Sequence, residues 1–175
     1  MAGKASKDKG KSGERELCKI LEGVFGGSFI RVPNSGAFVG GKNVFRKESL
    51  TNEQNKLTTG DIITPDFMPK FVLESKFYKD FPFHALLGTK PIPLLDGWIQ
   101  QNLDCVDPDD FWLVCFKINR KGWFGVFEEK YLSQMNLQNY SIYYCKGKNK
   151  YIIVDLMTLL ENNKELILEL TKKTL

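Results

Sequence analysis

GDIITPDFMPKFVLESKFYK, residues 60–79, reads as two strands joined by a proline-rich turn. Asp61 opens the first strand, and Glu74, Ser75 and Lys76 lie toward the end of the second. Side chains alternate along a strand, so Val72, Glu74 and Lys76 point one way while Leu73 and Ser75 point the other. A turn centred near Phe67 would pair the strands antiparallel and bring Asp61 close to Glu74. Two carboxylates and an amine would then meet at one end of a hairpin otherwise made of Ile62, Ile63, Phe71, Val72 and Leu73. Hard oxygen ligands of this kind suit Mg²⁺, and a neighbouring ammonium can steady an attacking water or the charge growing on a phosphate.

The dipeptide Pro65-Asp66 is excluded from that site. At roughly 3.3 Å per residue, a straight second strand would leave Asp66 about 25 Å from Glu74. Asp66 is read as a turn former. Spacing alone also allows an ordinary hairpin whose Glu74 and Lys76 make a surface salt bridge, and the two readings stand level at this point.

The 175 residues, 42% of them hydrophobic and 13% aromatic, suffice for one well-filled core. The net charge of +4 is unevenly placed: residues 1–60 hold 11 Lys+Arg against 6 Asp+Glu, and the remainder hold 14 against 15. A basic segment ahead of an acidic site suits a protein that holds a polyanion near bound metal, although a solvated tail has the same composition. Cys18, Cys105, Cys115 and Cys145 have no zinc or redox spacing and fall in apolar runs, as core thiols of a reducing compartment do. The opening MAGKASKDKGKSG does not resemble a signal peptide, and no apolar run approaches a membrane span. A cytoplasmic protein without membrane partners is expected, in a viral or host-cell compartment that holds DNA.

Residues 1–12 are rich in Lys, Gly and Ser and are expected to be a flexible basic tail. A helix is predicted from Ser12 or Gly13 to Gly26 and Gly27, with Leu17, Ile20, Leu21, Val24 and Phe25 as its apolar stripe. Glu14 falls within roughly 40° of the centre of that stripe, while Arg15 and Glu16 fall more than about 120° away. The helix dipole would account for an acid there, and so would a third carboxylate leaning toward a metal site. A short strand is read at 28–33. A loop and an insertion at about 37–59 follow, carrying Lys42, Arg46, Lys47 and Lys56, and a DNA-contacting flap is the preferred reading over a plain disordered insertion.

Beyond the hairpin, a helical turn is predicted at FPFHALLG and a helix from Pro93 to about Cys105, with Leu94, Trp98, Gln101 and Cys105 on one side. His84, the lone histidine, is read as structural rather than catalytic. FWLVCFKI (111–118) and GWFGVFE (122–128) are paired strands about a turn at Asn119–Lys121. A second hairpin, YSIYYC with KYIIV, precedes a helix from about Leu156 that breaks at Asn162 and Asn163. The order of elements describes an α/β fold with a central mixed β-sheet flanked by helices.

GERELCKILEGVFGGSFIRVPNSG, then GDI, then FVLESK resembles the PD-(D/E)XK nuclease superfamily, and most closely its archaeal-type Holliday junction resolvases and their phage relatives. The resemblance implies a restriction-endonuclease-like core over 13–128 and a C-terminal hairpin-helix extension over 129–175 packed on it. It places Glu14, Asp61, Glu74 and Lys76 at the family's catalytic positions and favours the metal site over the salt bridge. It also matches Ser35 to a small polar loop residue, Arg31 to a basic residue at a strand end, and Trp98 with Gln101 to a helical pair.

By the same resemblance, Asp61, Glu74 and the backbone carbonyl of Ser75 would ligate Mg²⁺, with Mn²⁺ substituting. Glu14 would hold a second ion or an ordered metal water. Lys76 would orient or deprotonate the attacking water. Lys11, Arg31, Ser35, Lys42, Arg46, Lys47 and Gln101 would contact DNA. The expected enzyme is a homodimeric endonuclease cutting four-way junctions. The alternatives are a phage or mobile-element endonuclease acting on linear duplex, and a non-catalytic DNA-binding protein with a nuclease fold. The insertion at 37–59 is longer than the compact archaeal proteins carry, and residues 129–175 match no part of them.

Overall fold

The structure, a computed structural model, describes residues 2–32, 59–145 and 149–172. Helix α1 (Ala2–Phe25) starts ten residues or so before the predicted Ser12 or Gly13, so the backbone of the expected flexible tail is helical from Ala2. Ala and Lys favour the helix enough to carry it through Gly10 and Gly13. Gly13 is a packing residue and not a breaker: a Cβ there would lie 3.2 Å from Phe77 Cβ and Cδ1. The helix stops at Gly26 and Gly27, whose φ values of 73° and 74° suit glycine.

Two short strands, β1 (Ile30–Arg31) and β2 (Ile62–Ile63), pair antiparallel as a small sheet. This corrects the expected hairpin, since β2 pairs with β1 and not with β3 (Phe71–Tyr78). Pro65 and Pro69 carry no N–H for a ladder. The chain between the strands instead folds on itself, with Met68 N–H donating to the Pro65 carbonyl at 2.8 Å and Thr64 Oγ1 to that of Met68 at 2.9 Å. Asp66 and Phe67 form the turn, as predicted.

From β3 the chain passes through a 3₁₀ turn (Phe83–Leu87) and helix α2 (Pro93–Leu103) to β4 (Phe111–Ile118), which lies parallel to β3. A parallel neighbour requires such a crossover. Strand β5 (Gly122–Glu128) follows, then a 3₁₀ segment (Glu129–Gln134), β6 (Ser141–Cys145), β7 (Asn149–Asp155), α3 (Leu156–Asn162) and α4 (Lys164–Thr171). The main sheet has the order β3-β4-β5-β7-β6, mixed as expected, with only the β3–β4 pair parallel. The C-terminal hairpin is built into this sheet, where β7 sits between β5 and β6.

The dense run FWLVCFKI is explained by burial on both faces. Phe111, Leu113 and Cys115 join Leu17 and Leu21 of α1 with Leu156, Leu159, Leu160 and Ile167 of α3 and α4. Trp112, Val114, Phe116 and Ile118 join Leu95, Trp98 and Ile99 of α2. The result is a three-layer α/β fold of the restriction-endonuclease-like kind, with β3 at one edge of the main sheet. The buried stripe of α2 is Leu95, Trp98, Ile99 and Asn102, one residue round from the predicted Leu94 and Cys105. Among the described residues, no helix is long and apolar enough to cross a membrane.

Candidate active site at the edge of β3

Asp61 reaches Glu74 without a hairpin ladder. Its N–H donates to the Leu73 carbonyl at 2.8 Å, and its Oδ2 accepts the Ser75 N–H at 2.8 Å. These two bonds bracket Glu74. Gly60 makes the approach possible: its φ is 76°, and a Cβ there would stand 2.7 Å from the Leu73 carbonyl oxygen. An L side chain would be strained by the backbone angle and would also clash.

Glu74 and Lys76 share the face turned to α2, as the alternation requires. Lys76 Nζ donates to Glu74 Oε1 at 2.6 Å and to Gln101 Oε1 at 3.0 Å, while Gln101 Nε2 donates to Glu74 Oε1 at 3.0 Å. The salt bridge anticipated on the surface is therefore present but buried, the side chains being 8% and 15% exposed for Glu74 and Lys76. Burying such a pair costs desolvation that a surface pair avoids. Burial first, and then repulsion from Asp61, push the Glu74 carboxyl up to about 7, against the opposing pull of Lys76.

Glu14 approaches from the α1 side, with its carboxylate 3.2 Å from Arg31 Nη1 and 16% exposed. Its position on the apolar margin agrees with the helical-wheel reading. Burial and then Asp61 raise its carboxyl above the ordinary range, with Arg31 pulling the other way. Three acids from α1, the segment before β2, and β3 thus feel one another at one edge of the sheet.

The donor set fits a hard divalent cation of modest protein coordination. Among the described residues no three His, Cys, Asp or Glu side chains converge tightly enough to hold a metal by themselves. Mg²⁺ commonly uses one or two carboxylates and keeps several waters, so Asp61 and Glu74 suffice in number. The N–H of Ser75 points away from β4 toward Asp61, and a strand residue directs its carbonyl to the same side. The Ser75 carbonyl is thereby aimed at the rim where the two acids meet.

Among the residues expected to contact DNA, Arg31 is engaged with Glu14, and Gln101 ties Glu74 to Lys76. Lys11 is exposed one turn before Glu14. Ser35, Lys42, Arg46 and Lys47 lie outside the described residues. His84 is exposed on the 3₁₀ turn after β3.

The sequence reading missed a second polar cluster. Glu16 accepts from Lys117 Nζ at 2.7 Å and from Trp123 Nε1 at 2.9 Å. Burial acts to raise its pKa, but these two donors outweigh it and hold the carboxylate below its ordinary range. The signal was in β4, where the alternation that turns Leu113 and Cys115 inward also turns Lys117 toward α1. A lysine so placed needs an acid partner, and Glu16 supplies it.

Comparison with protein families matches residues 5–169 of the 175 to the family described as "Phage putative PDDEXK endonuclease". No curated protein and no solved structure matches. The match runs through every element that builds the edge of β3, from α1 to α4, and on that extent the chain belongs to this phage PD-(D/E)XK family and is a nuclease.

Proposed function

We propose that the chain is a Mg²⁺-dependent endonuclease that hydrolyses phosphodiester bonds of branched DNA, with four-way junctions as its substrate. The observation that carries the hydrolytic part is the Ser75 N–H to Asp61 Oδ2 bond of 2.8 Å, which fixes one carboxylate beside the buried Glu74–Lys76 pair. Asp61, Glu74 and the Ser75 carbonyl would hold the ion, with Glu14 reached through a metal water or a second ion. The ion, when bound, supplies charge stabilisation at the phosphate and a more acidic water.

The chain's own residues supply the positioning. An ammonium has three donors, and Lys76 directs two of them to Glu74 and Gln101. The remaining N–H can orient the attacking water or meet a phosphoryl oxygen as charge grows there. Gln101 holds Glu74 and Lys76 in one geometry from α2. In-line displacement would leave a 3′-hydroxyl and a 5′-phosphate.

Junction preference is supported by the resemblance of the Glu14 helix, Asp61 and the Glu74-Ser-Lys76 strand to junction resolvases, and a symmetric dimer would present two sites to two opposed strands. The family match favours a second reading equally well, a phage endonuclease acting on linear duplex. The intact acid set and its lysine speak against a non-catalytic scaffold. The test is Mg²⁺-dependent cleavage of a fixed four-way junction, a flap and a plain duplex side by side. Preferential cutting of the junction supports the first reading, and equal or greater cutting of its linear arms supports the second. Absence of metal-stimulated cleavage on all three substrates would overturn both.

A further inference from the structure

The geometry points to a second nucleic-acid site, an open cleft beyond the end of β3 that holds one nucleotide of the DNA strand leaving the cleavage centre. That it lies on the strand's path rests on the nuclease reading above. The cleft has a volume of about 480 Å³ and is lined by Asp80, Phe81, Pro82, Phe83, His84 and Lys121. It lies on the same side of the sheet as Glu74 and Lys76. Tyr78 packs its ring 5.0 Å from Trp98 of α2, and Phe83 packs 4.8 Å from Phe124 and 6.4 Å from Phe116 on that face.

Residues two apart on a strand are separated by about 6.6 Å. Glu74, Lys76 and Tyr78 therefore form a line along one face, and the cleft begins one further step along it. Tyr78 is 38% exposed, although its ring neighbours that of the buried Trp98. It offers a face on which an unpaired base can stack.

Past Tyr78 the donors gather. Lys121 Nζ lies 5.2 Å over the Phe83 ring and 3.4 Å from Asp80 Oδ1, with its side chain 51% exposed. His84 of the same lining is exposed, and so are Lys79 and Arg120, the chain neighbours of Asp80 and Lys121. Arg120 sits exposed in the tight turn between β4 and β5 with φ of 61°. Asp80 is the one acid in the cleft, and it accepts the Phe81 N–H at 2.9 Å. That bond gives its charge a second partner, so Lys121 can leave it for a phosphate. A base on Tyr78 and its phosphate between Lys121 and His84 fit this order of groups.

The test measures binding of the full chain to a labelled single-stranded oligonucleotide and to a four-way junction in EDTA, across a range of salt. Lys121→Gln is expected to weaken binding several-fold and to reduce the magnitude of the salt slope by about one. Tyr78→Leu should weaken single-strand binding by about 5-fold or more, and Tyr78→Phe should restore it, because the stacking face returns. Lys172→Gln, at the opposite end of β3 where Thr171 meets Lys70, should bind as the parent does. Unchanged affinity and salt slope in Lys121→Gln, with unchanged affinity in Tyr78→Leu, would overturn the proposal. Mg²⁺ cleavage by the parent separates the two ideas. Cleavage with normally binding variants sinks the cleft alone, whereas Lys121-dependent binding without cleavage keeps the cleft and sinks the nuclease reading.

Discussion

Asp61 accepts the backbone N–H of Ser75 across fourteen residues of chain, so a side chain outside the main sheet takes the hydrogen bond that a neighbouring strand would otherwise make. The acid is thereby positioned by the backbone of the strand that carries Glu74 and Lys76.

Replacing Lys76 with Ala should lower cleavage by roughly 10²–10⁴-fold, the range expected for loss of a positioned proton donor or charge. DNA affinity in EDTA should stay within a few-fold of the parent. Single-turnover cleavage read beside equilibrium binding checks both halves, and undiminished cutting removes Lys76 from the chemistry.

Gly60→Ala places a methyl group 2.7 Å from the Leu73 carbonyl at a left-handed φ. A stability loss of about 1–2 kcal/mol is expected from the backbone alone. Cleavage should fall further than that loss explains, because Asp61 is displaced. Urea denaturation and cleavage of the same preparation decide it, and a parent-like rate would show that the approach to β3 is not required.

Glu74 gives a pH dependence of definite sign. Its folded carboxyl is raised from about 4.5 to about 7, so the folded chain holds that proton more tightly than the unfolded chain does. The associated stability is complete below about pH 4.5 and is lost as pH rises through about 7. The metal-free protein should lose on the order of 3 kcal/mol over that window through this group. Glu74→Gln should flatten the profile, and Mg²⁺ at pH 8 should recover stability. Denaturation midpoints at pH 5 and pH 8 in EDTA provide the measurement; a metal-free protein more stable at pH 8, through this group, would contradict the assignment.

Glu16→Ala removes the acceptor shared by Lys117 and Trp123 and should cost about 1–2 kcal/mol. Adding Lys117→Met should recover part of the loss, since the lysine left without its acid is removed too. A double-mutant cycle by urea denaturation reads the coupling, and strict additivity would mean that the cluster does no joint work.

Much of this arrangement was legible from local pattern. The dense apolar run FWLVCFKI marked β4 over its full length, the Asn119–Lys121 turn set β5, and the paired asparagines at 162 and 163 marked the break between α3 and α4. Partnership between distant segments was harder to read. Nothing local in Ile62–Ile63 says that it pairs with Ile30–Arg31 in preference to β3, because two residues carry too little pattern to choose a partner. Gly13 read as the helix start because a glycine's packing role depends on Phe77, 64 positions later. Glu16 looked solvated on the wheel because its partner is a lysine on another element. At the site, residue types and order pointed to Glu14, Asp61, Glu74 and Lys76. The bracket of Asp61 by Leu73 and Ser75, and the tie that Gln101 makes between Glu74 and Lys76, could be seen only in three dimensions.

The turn ahead of β3 is fastened late in the chain: the Lys70 N–H donates to the Thr171 carbonyl at 3.0 Å, and β7 fills the place between β5 and β6. During translation, the strand bearing Glu74 leaves the ribosome long before the segments that brace it. A nascent chain therefore carries its acids and lysine without the scaffold to align them, and cutting power should arise only after residues through Thr171 have emerged. Chains stalled before residue 149 should leave DNA intact, a delay that would keep unfinished copies harmless to nearby genomes.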